Sequence, residues 1–265
     1  MFCLRKQRLL LALVLFFNSI QFATAQENWG AMYHVIPVKG YEGHHFRLQA
    51  SVKCMVEDDS ASARLWVRVD KKSGIGFFEN MWKHPIRNSE WKTYTIEGTI
   101  DTAATRLVIG ALCELNGQFS YDNFKVEVES DNKKWQTVYT DDFEKGMDGW
   151  LPGIGFGPTG ANSLYTGAVQ HEQTGNNSAL VINGVGVPNW GANKKAGNFA
   201  NVNGIKLYYE IYGEGQPLVV LHGNGGSIAD AGSHYSELVK KYKVIAIDSR
   251  SQGRSTDTNQ PLTYD

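Results

Sequence analysis

From Phe46 to Val56 every second residue is apolar: Phe46, Leu48, Ala50, Val52, Cys54 and Val56. A period of two describes a strand that turns one face to a core and the other to water. The same period returns at Leu65, Val67 and Val69, at Tyr94 and Ile96, at Leu107, Ile109, Ala111 and Cys113, and at Phe124, Val126 and Val128. Polar or glycine-containing segments at 57–62, 71–76 and 116–117 separate these runs, and no amphipathic helix of ten residues lies between them. Short alternating strands at this spacing predict an antiparallel β-sandwich over residues 26–130. An apolar content of 42% with 12% aromatics excludes a largely disordered chain.

Residues 1–25 read as a secretory signal. Arg5, Lys6 and Arg8 precede the apolar run Leu9–Phe17, and Ala23-Thr24-Ala25 forms a small-x-small cleavage site before Gln26. The uninterrupted apolar run is about half of the roughly 20 residues that a spanning helix needs. The expectation is therefore an exported protein, periplasmic or secreted, with no membrane span after cleavage. Removing 1–25 takes away three bases and no acid, so 26 basic and 27 acidic residues become 23 and 27, a net charge of −4. No basic excess remains to neutralise phosphates, and no nucleic-acid partner is expected. Cys54 and Cys113 are the cysteines left. Export permits a disulfide, but each alternates with apolar neighbours, which favours two buried free thiols.

The stretches Val38–Leu48, Trp91–Gly98 and Gly117–Phe124 resemble bacterial jelly-roll modules of the carbohydrate-binding, galactose-binding-like type. Such modules bind sugars in some proteins and only pack against a neighbour in others. On the run Arg64–Asp70 the apolar face is Leu65, Val67 and Val69, so Trp66 points outward beside Arg64, Arg68 and Asp70. An aromatic plane on a polar sheet face suits sugar stacking, and Phe77, Phe78 and Trp82 are further candidates. Trp66 and Trp82 are the candidate ligand-binding residues. The more ordinary use of such rings is to cover the sandwich edge or dock the next domain. Some such modules hold a structural calcium, and the resemblance would make Asp122 a ligand, but it stands as one carboxylate without partners. An ordinary turn aspartate is the simpler reading.

Residues 131–198 leave two readings open. Asp141–Trp150 and Asn177–Asn183 look like strands of another jelly roll, either completing the first sandwich or forming a half-repeat. Stretches 153–160 and 184–197, rich in Gly, Pro and Asn, read as loop and linker. His171 and Glu172 are adjacent strand positions that face opposite ways, which makes them surface residues. No metal is expected.

After residue 198 the pattern changes. Residues 199–212 predict a hairpin turning at Asn203-Gly204. Pro217–Leu221 is a continuous apolar strand, expected to be buried on both faces, which runs into His222-Gly-Asn-Gly-Gly-Ser227. A helix is expected over Ser233–Lys241 and a second buried strand over Val244–Ile247, ending in Asp248-Ser-Arg-Ser-Gln-Gly-Arg-Ser255. Together these make a right-handed βαβ unit. The order resembles the N-terminal part of the α/β-hydrolase family over residues 199–265. The resemblance implies a multidomain chain, with an all-β jelly-roll sandwich followed by the first strands and helix of a hydrolase sheet. It also implies a small ester-like substrate and no organic cofactor. It assigns oxyanion-hole N–H groups to Asn224 and Gly225, and loop-shaping roles to His222, Gly223, Asp248 and Arg250. The loop lacks the Lys-Ser/Thr ending of a phosphate-binding loop and the spacing of a dinucleotide fold. The family's G-x-S-x-G elbow does not occur in the 265 residues. The corresponding expectation is a truncated, inactive fragment of an esterase whose nucleophile, acid and base lie beyond Asp265, with aspartate-nucleophile dehalogenases and epoxide hydrolases still open. The alternative, from another functional class, is a non-catalytic glycan-binding protein.

Overall fold

The computed structural model describes residues 28–261 except 57, 154–155, 157–163 and 172–176. The expected signal segment with Cys3, together with Glu57, most of the 153–160 loop, Glu172 and Asp265, lies outside the described residues.

Eleven strands build a two-sheet sandwich: β1 (Trp29–Pro37), β2 (His45–Val56), β3 (Ser62–Lys71), β4 (Ile75–Glu79), β5 (Lys92–Thr99), β6 (Ala104–Glu114), β7 (Gly117–Glu129), β8 (Trp135–Asp141), β9 (Trp150–Pro152), β10 (Tyr165–His171) and β11 (Ser178–Gly184). One sheet, here sheet A, runs β4-β3-β6-β1-β9. The other, sheet B, runs β10-β11-β7-β2-β5, with β8 also paired to β7. All pairings within the two sheets are antiparallel. A jelly-roll sandwich is compatible with this arrangement. The middle segment, for which the sequence left two readings, supplies β8 to β11 to these same two sheets.

The alternation seen in the sequence is the physical reason for the sandwich. Leu65, Val67 and Val69 of β3 and Leu107, Ile109, Ala111 and Cys113 of β6 face Phe46, Leu48, Ala50 and Val52 of β2 across one shared core. Most of these are fully shielded from solvent, and stacking two such faces is the standard way for a half-apolar sheet to leave water. β7 contributes Phe119 and Tyr121, then Phe124, Val126 and Val128. A register shift opposite Gln49–Ser51 and a left-handed backbone at Asn123 (φ 53°) insert one extra residue, so the inward set changes parity between Tyr121 and Phe124. The Tyr121 hydroxyl reaches across the core and donates to the Leu112 carbonyl of sheet A at 2.5 Å. Cys54 and Cys113 are free and buried. Burial pushes both thiols up, far from reactive thiolate.

Residues 185–196 lead from the sandwich to a smaller layer. Asn116 grips Val187 through both its amide nitrogen and its amide oxygen, each at 2.7 Å. Asp58 accepts from Asn189 at 3.1 Å, and Lys194 pairs with Asp59 at 2.6 Å. The layer beyond comprises β12 (Gly197–Val202), β13 (Ile205–Tyr212), β14 (Gln216–Leu221), a 3-10 turn (Ile228–Ala231), α1 (Gly232–Leu238) and β15 (Tyr242–Ile247). Its four strands are ordered β12-β13-β15-β14. The hairpin turns at Asn203 (φ 48°) and Gly204 (φ 81°), both left-handed, as its sequence requires. Glu210, buried at the root of this layer, accepts from the Gly191 and Asn193 amides and from the Tyr208 and Tyr212 hydroxyls, all within 2.9 Å. One carboxylate thereby ties linker and sheet together.

The α/β-hydrolase resemblance is not upheld. β14 and β15 do run parallel, with α1 between them. Yet α1 has seven residues, and apart from the four-residue 3-10 turn it is the only helix among the described residues. A hydrolase sheet carries helices on both faces. Here the helix and turn cover the face of Tyr208, Val244 and Ala246, and the opposite face is open. β14, expected to be buried on both faces, leaves Val219 55% and Leu221 65% exposed. The architecture is an all-β sandwich with a small mixed sheet attached, and the esterase and fragment expectations lose the resemblance on which they rested. Among the described residues no helix is long and apolar enough to cross a membrane.

Leu65 is completely buried between the sheets, whereas Met55 is 63% exposed on β2. Leu65→Ala is expected to lower the unfolding free energy by about 2–5 kcal/mol, and Met55→Ala by less than about 0.5 kcal/mol, as read from urea unfolding. Equal losses would mean that the alternation does not define the core.

Candidate functional site

Because β3 sends Leu65, Val67 and Val69 inward, Arg64, Trp66, Arg68 and Asp70 stand on the outer face of sheet A. Their neighbours across β6 are Leu112, Gly110, Val108 and Arg106 in that order. On the far side of β6, β1 places Ala31 opposite Leu112 and Tyr33 opposite Gly110. Gly110 therefore lies between Trp66 and Tyr33. A Cβ built there would overlap the Trp66 indole and the Met32 carbonyl, so glycine is what lets the indole lie down across β6. The Tyr33 ring stands 6.3 Å from that indole, tilted by 55°. β4 sets Phe78, 54% exposed, opposite Arg68.

These side chains enclose a cleft of about 560 Å³, with Trp29, Tyr33, Trp66 and Phe78 among its walls. That volume lies inside the roughly 300–1,000 Å³ range of small-ligand sites. Polar groups rim it. Arg64 pairs with Glu114, which also accepts from Ser62 at 3.2 Å. Arg68 grips Asp70 through two nitrogens at 2.6 and 3.1 Å, and Arg106 adds a third bond to Asp70 from Nε at 2.6 Å. Burial works to raise the Asp70 carboxyl, but the hydrogen bonds and charges of Arg68 and Arg106 outweigh it and hold it below its ordinary value. Asp70 is accordingly a carboxylate at neutral pH. Two buried nitrogens of the site, Arg64 Nε and Trp66 Nε1, have no hydrogen-bond partner among the described residues, which is uncommon for buried donors.

The second expected ligand residue, Trp82, lies elsewhere. It is 64% exposed, with Lys83 Nζ 5.2 Å from its ring centroid. It lines a hollow of about 430 Å³ with Phe77, Met81 and Glu97. Phe77 points toward the core and meets Phe46 edge-on at 5.3 Å. The strand thus separates Phe77 from Phe78, and the structure brings Trp66 together with Phe78 and not with Trp82. Trp29, Tyr33, Arg106 and Gly110 are residues of the cleft that sequence reasoning missed. β1 is apolar on both faces over Trp29–Tyr33, which hides its alternation. The available signal was the outward set of β6: Val108, Gly110 and Leu112 are non-polar where a solvated face would be polar.

Asp122 is buried, and its lone pairs are taken up by Asn123 and Asn177. Burial raises its carboxyl against these hydrogen bonds; the expected turn aspartate lies instead within β7, beside the bulge opposite Gln49–Ser51. His171 ends β10, with Nδ1 2.9 Å from the Ser178 hydroxyl. Among the described residues no group of three or more His, Cys, Asp or Glu side chains is placed to hold a metal.

Loop residues 222–227 and 248–258 pack against each other. His222 Nε2 accepts from the Ser249 amide at 3.0 Å, which leaves Nδ1 protonated to donate to the Gly223 carbonyl at 2.7 Å. Asp248, 1% exposed, accepts from the amides of Ile228 and Arg254, both at 2.7 Å. Arg250 ties Asp257 and the carbonyls of Thr258 and Gln260. The Gly225 N–H donates to Gln252 Oε1 at 2.9 Å, and Gln252 Nε2 donates to the Asn224 side chain at 3.0 Å. In this arrangement the Gly225 amide is bonded to a side chain of the neighbouring loop.

No protein-family model matches the chain, and no curated protein sequence matches it.

Gly110→Ala is expected to displace the Trp66 indole from its seat on β6. The tryptophan emission should shift and the melting temperature should fall, whereas Gly74→Ala, at a turn where a Cβ meets nothing within 4 Å, should leave the emission unchanged. An unchanged emission spectrum in Gly110→Ala would contradict the seating described.

Proposed function

We propose that this chain is an exported glycan-binding protein that holds a sugar in the cleft on sheet A. The observation that carries the reading is the Trp66 indole, laid across Gly110 and faced by Tyr33 within a cleft of ligand size. A sugar ring offers an apolar face of C–H groups and a rim of hydroxyls. A flat aromatic surface takes the first by dispersion and electrostatics, and rim donors and acceptors take the second. The cleft supplies both, with Arg64, Arg68, Asn80 and Glu114 around the aromatic floor. Aromatic side chains lose little conformational freedom on binding, and aromatic and arginine side chains dominate binding energy where they are buried. β1, β3 and β6 are central strands of the sandwich, so the site sits on rigid elements.

Export rests on the N-terminal pattern of basic residues, apolar run and small-residue site. It is consistent with a target outside the cytoplasm.

Residues 26–265 are expected to be retained on at least one member of a diverse polysaccharide panel in affinity electrophoresis. Trp66→Ala should weaken that retention by about thirtyfold, the loss of a binding hot spot of about 2 kcal/mol, without changing the unfolding midpoint by more than a few degrees. Trp82→Ala should bind like the unaltered protein. Retention that survives Trp66→Ala but is lost in Trp82→Ala would move the site to the other hollow. No retention on any glycan would overturn the reading.

A further inference from the structure

Resting on the glycan reading, we propose that the sugar held over Trp66 is acidic, a uronate unit whose carboxylate is taken by the guanidinium groups at the Arg106 end of the cleft. The cleft face carries three guanidiniums, Arg64, Arg68 and Arg106, against two carboxylates, Asp70 and Glu114. It is therefore locally cationic on a chain whose formal net charge is −1. The two ends of the cleft differ. At one end Arg64 is balanced by Glu114. At the other, Arg68 and Arg106 share the single carboxylate of Asp70, which leaves one positive charge uncompensated.

The donor geometry points the same way. Arg68 spends Nε and one terminal nitrogen on Asp70, whereas Arg106 spends only Nε. The two terminal nitrogens of Arg106 carry no hydrogen bond among the described residues, and the side chain is 51% exposed. A guanidinium fork with two unengaged N–H groups matches a carboxylate bidentately. Arg68 lies two residues from Trp66 on the same strand face, about 7 Å away, and Arg106 is in the next rung, opposite Asp70. A pyranose stacked on the indole would thus bring a ring carboxylate toward this pair. A neutral sugar would offer the same fork only hydroxyls, and the uncompensated charge would gain less.

The test uses polygalacturonate, alginate and glucuronoxylan, each beside its carboxyl-reduced form, in affinity electrophoresis and isothermal titration. At least one acidic glycan is expected to bind about tenfold more tightly than its reduced counterpart, a difference of about 1.4 kcal/mol. Added salt should narrow that gap. Arg106→Gln should remove most of the discrimination, weakening acidic binding far more than binding of the reduced glycan, while Asp70 keeps both bonds from Arg68. A melting curve on Arg106→Gln checks that the fold is intact. Equal binding of acidic and reduced forms, or binding of neutral glycans alone, would overturn this inference and leave the glycan reading standing. Acidic binding unaffected by Trp66→Ala would show charge adsorption only and would also overturn it. Binding of no glycan at all would remove both.

Discussion

Two sheets can bury their apolar faces only against each other, and this closure governs the rest of the molecule. The core it creates runs from Met32 and Phe46 to Leu180 and Ile182 and draws on strands from both ends of the sandwich sequence. Burying aromatic side chains such as Phe46, Phe119 and Phe124 contributes roughly 1.5–3 kcal/mol each. Closure fixes the strand faces, because a one-residue slip in β3 would put Trp66 and the arginines into the core. The cleft is thus a consequence of packing. Once Leu65 and Val67 point in, Trp66 must point out, and Gly110 across β6 decides whether the indole lies flat or stands away.

Much of the sandwich was readable because its inner faces repeat with a period of two that no helix shares. The outward direction of Trp66 followed from the same pattern. β1 was not readable, since Trp29, Ala31, Met32 and Tyr33 offer apolar groups on both faces of a central strand. β4 was not readable either, since Phe77 and Phe78 are adjacent and show no alternation, and its role depends on pairing with Arg68 and Val69. The cleft itself joins residues near 30, 66, 78 and 110. Such contacts are set by strand order, which a single sequence does not encode locally. Trp82 illustrates the limit: as exposed an aromatic as Phe78, it falls on the other side of β4.

The segment after residue 198 misled for a different reason. A hairpin, an apolar strand, a glycine-rich loop, a short helix and a second strand do follow one another, and the local elements form. Fold family, however, is a property of layers. The number of helices and the faces they cover come from tertiary packing, and here seven residues of α-helix and a 3-10 turn cover one face alone. The layer is held to the sandwich through polar devices, with Asn116 on Val187 and Glu210 on four donors. A spacing motif does not announce such devices: Asn116 and Val187 are 71 residues apart, and Glu210 joins two distant backbone amides to the Tyr208 and Tyr212 hydroxyls beside it.

The most direct test of the central claim follows the indole N–H signals of the seven tryptophans in a nitrogen–proton correlation spectrum while a retained glycan is added. The account predicts that Trp66, with its neighbour Trp29, moves progressively and saturates. Trp150, buried beside Phe124 and Phe143, and Trp190, packed on Tyr212 and Tyr235, should stay in place. Saturable movement of Trp82 or Trp91 with Trp66 unmoved would contradict it.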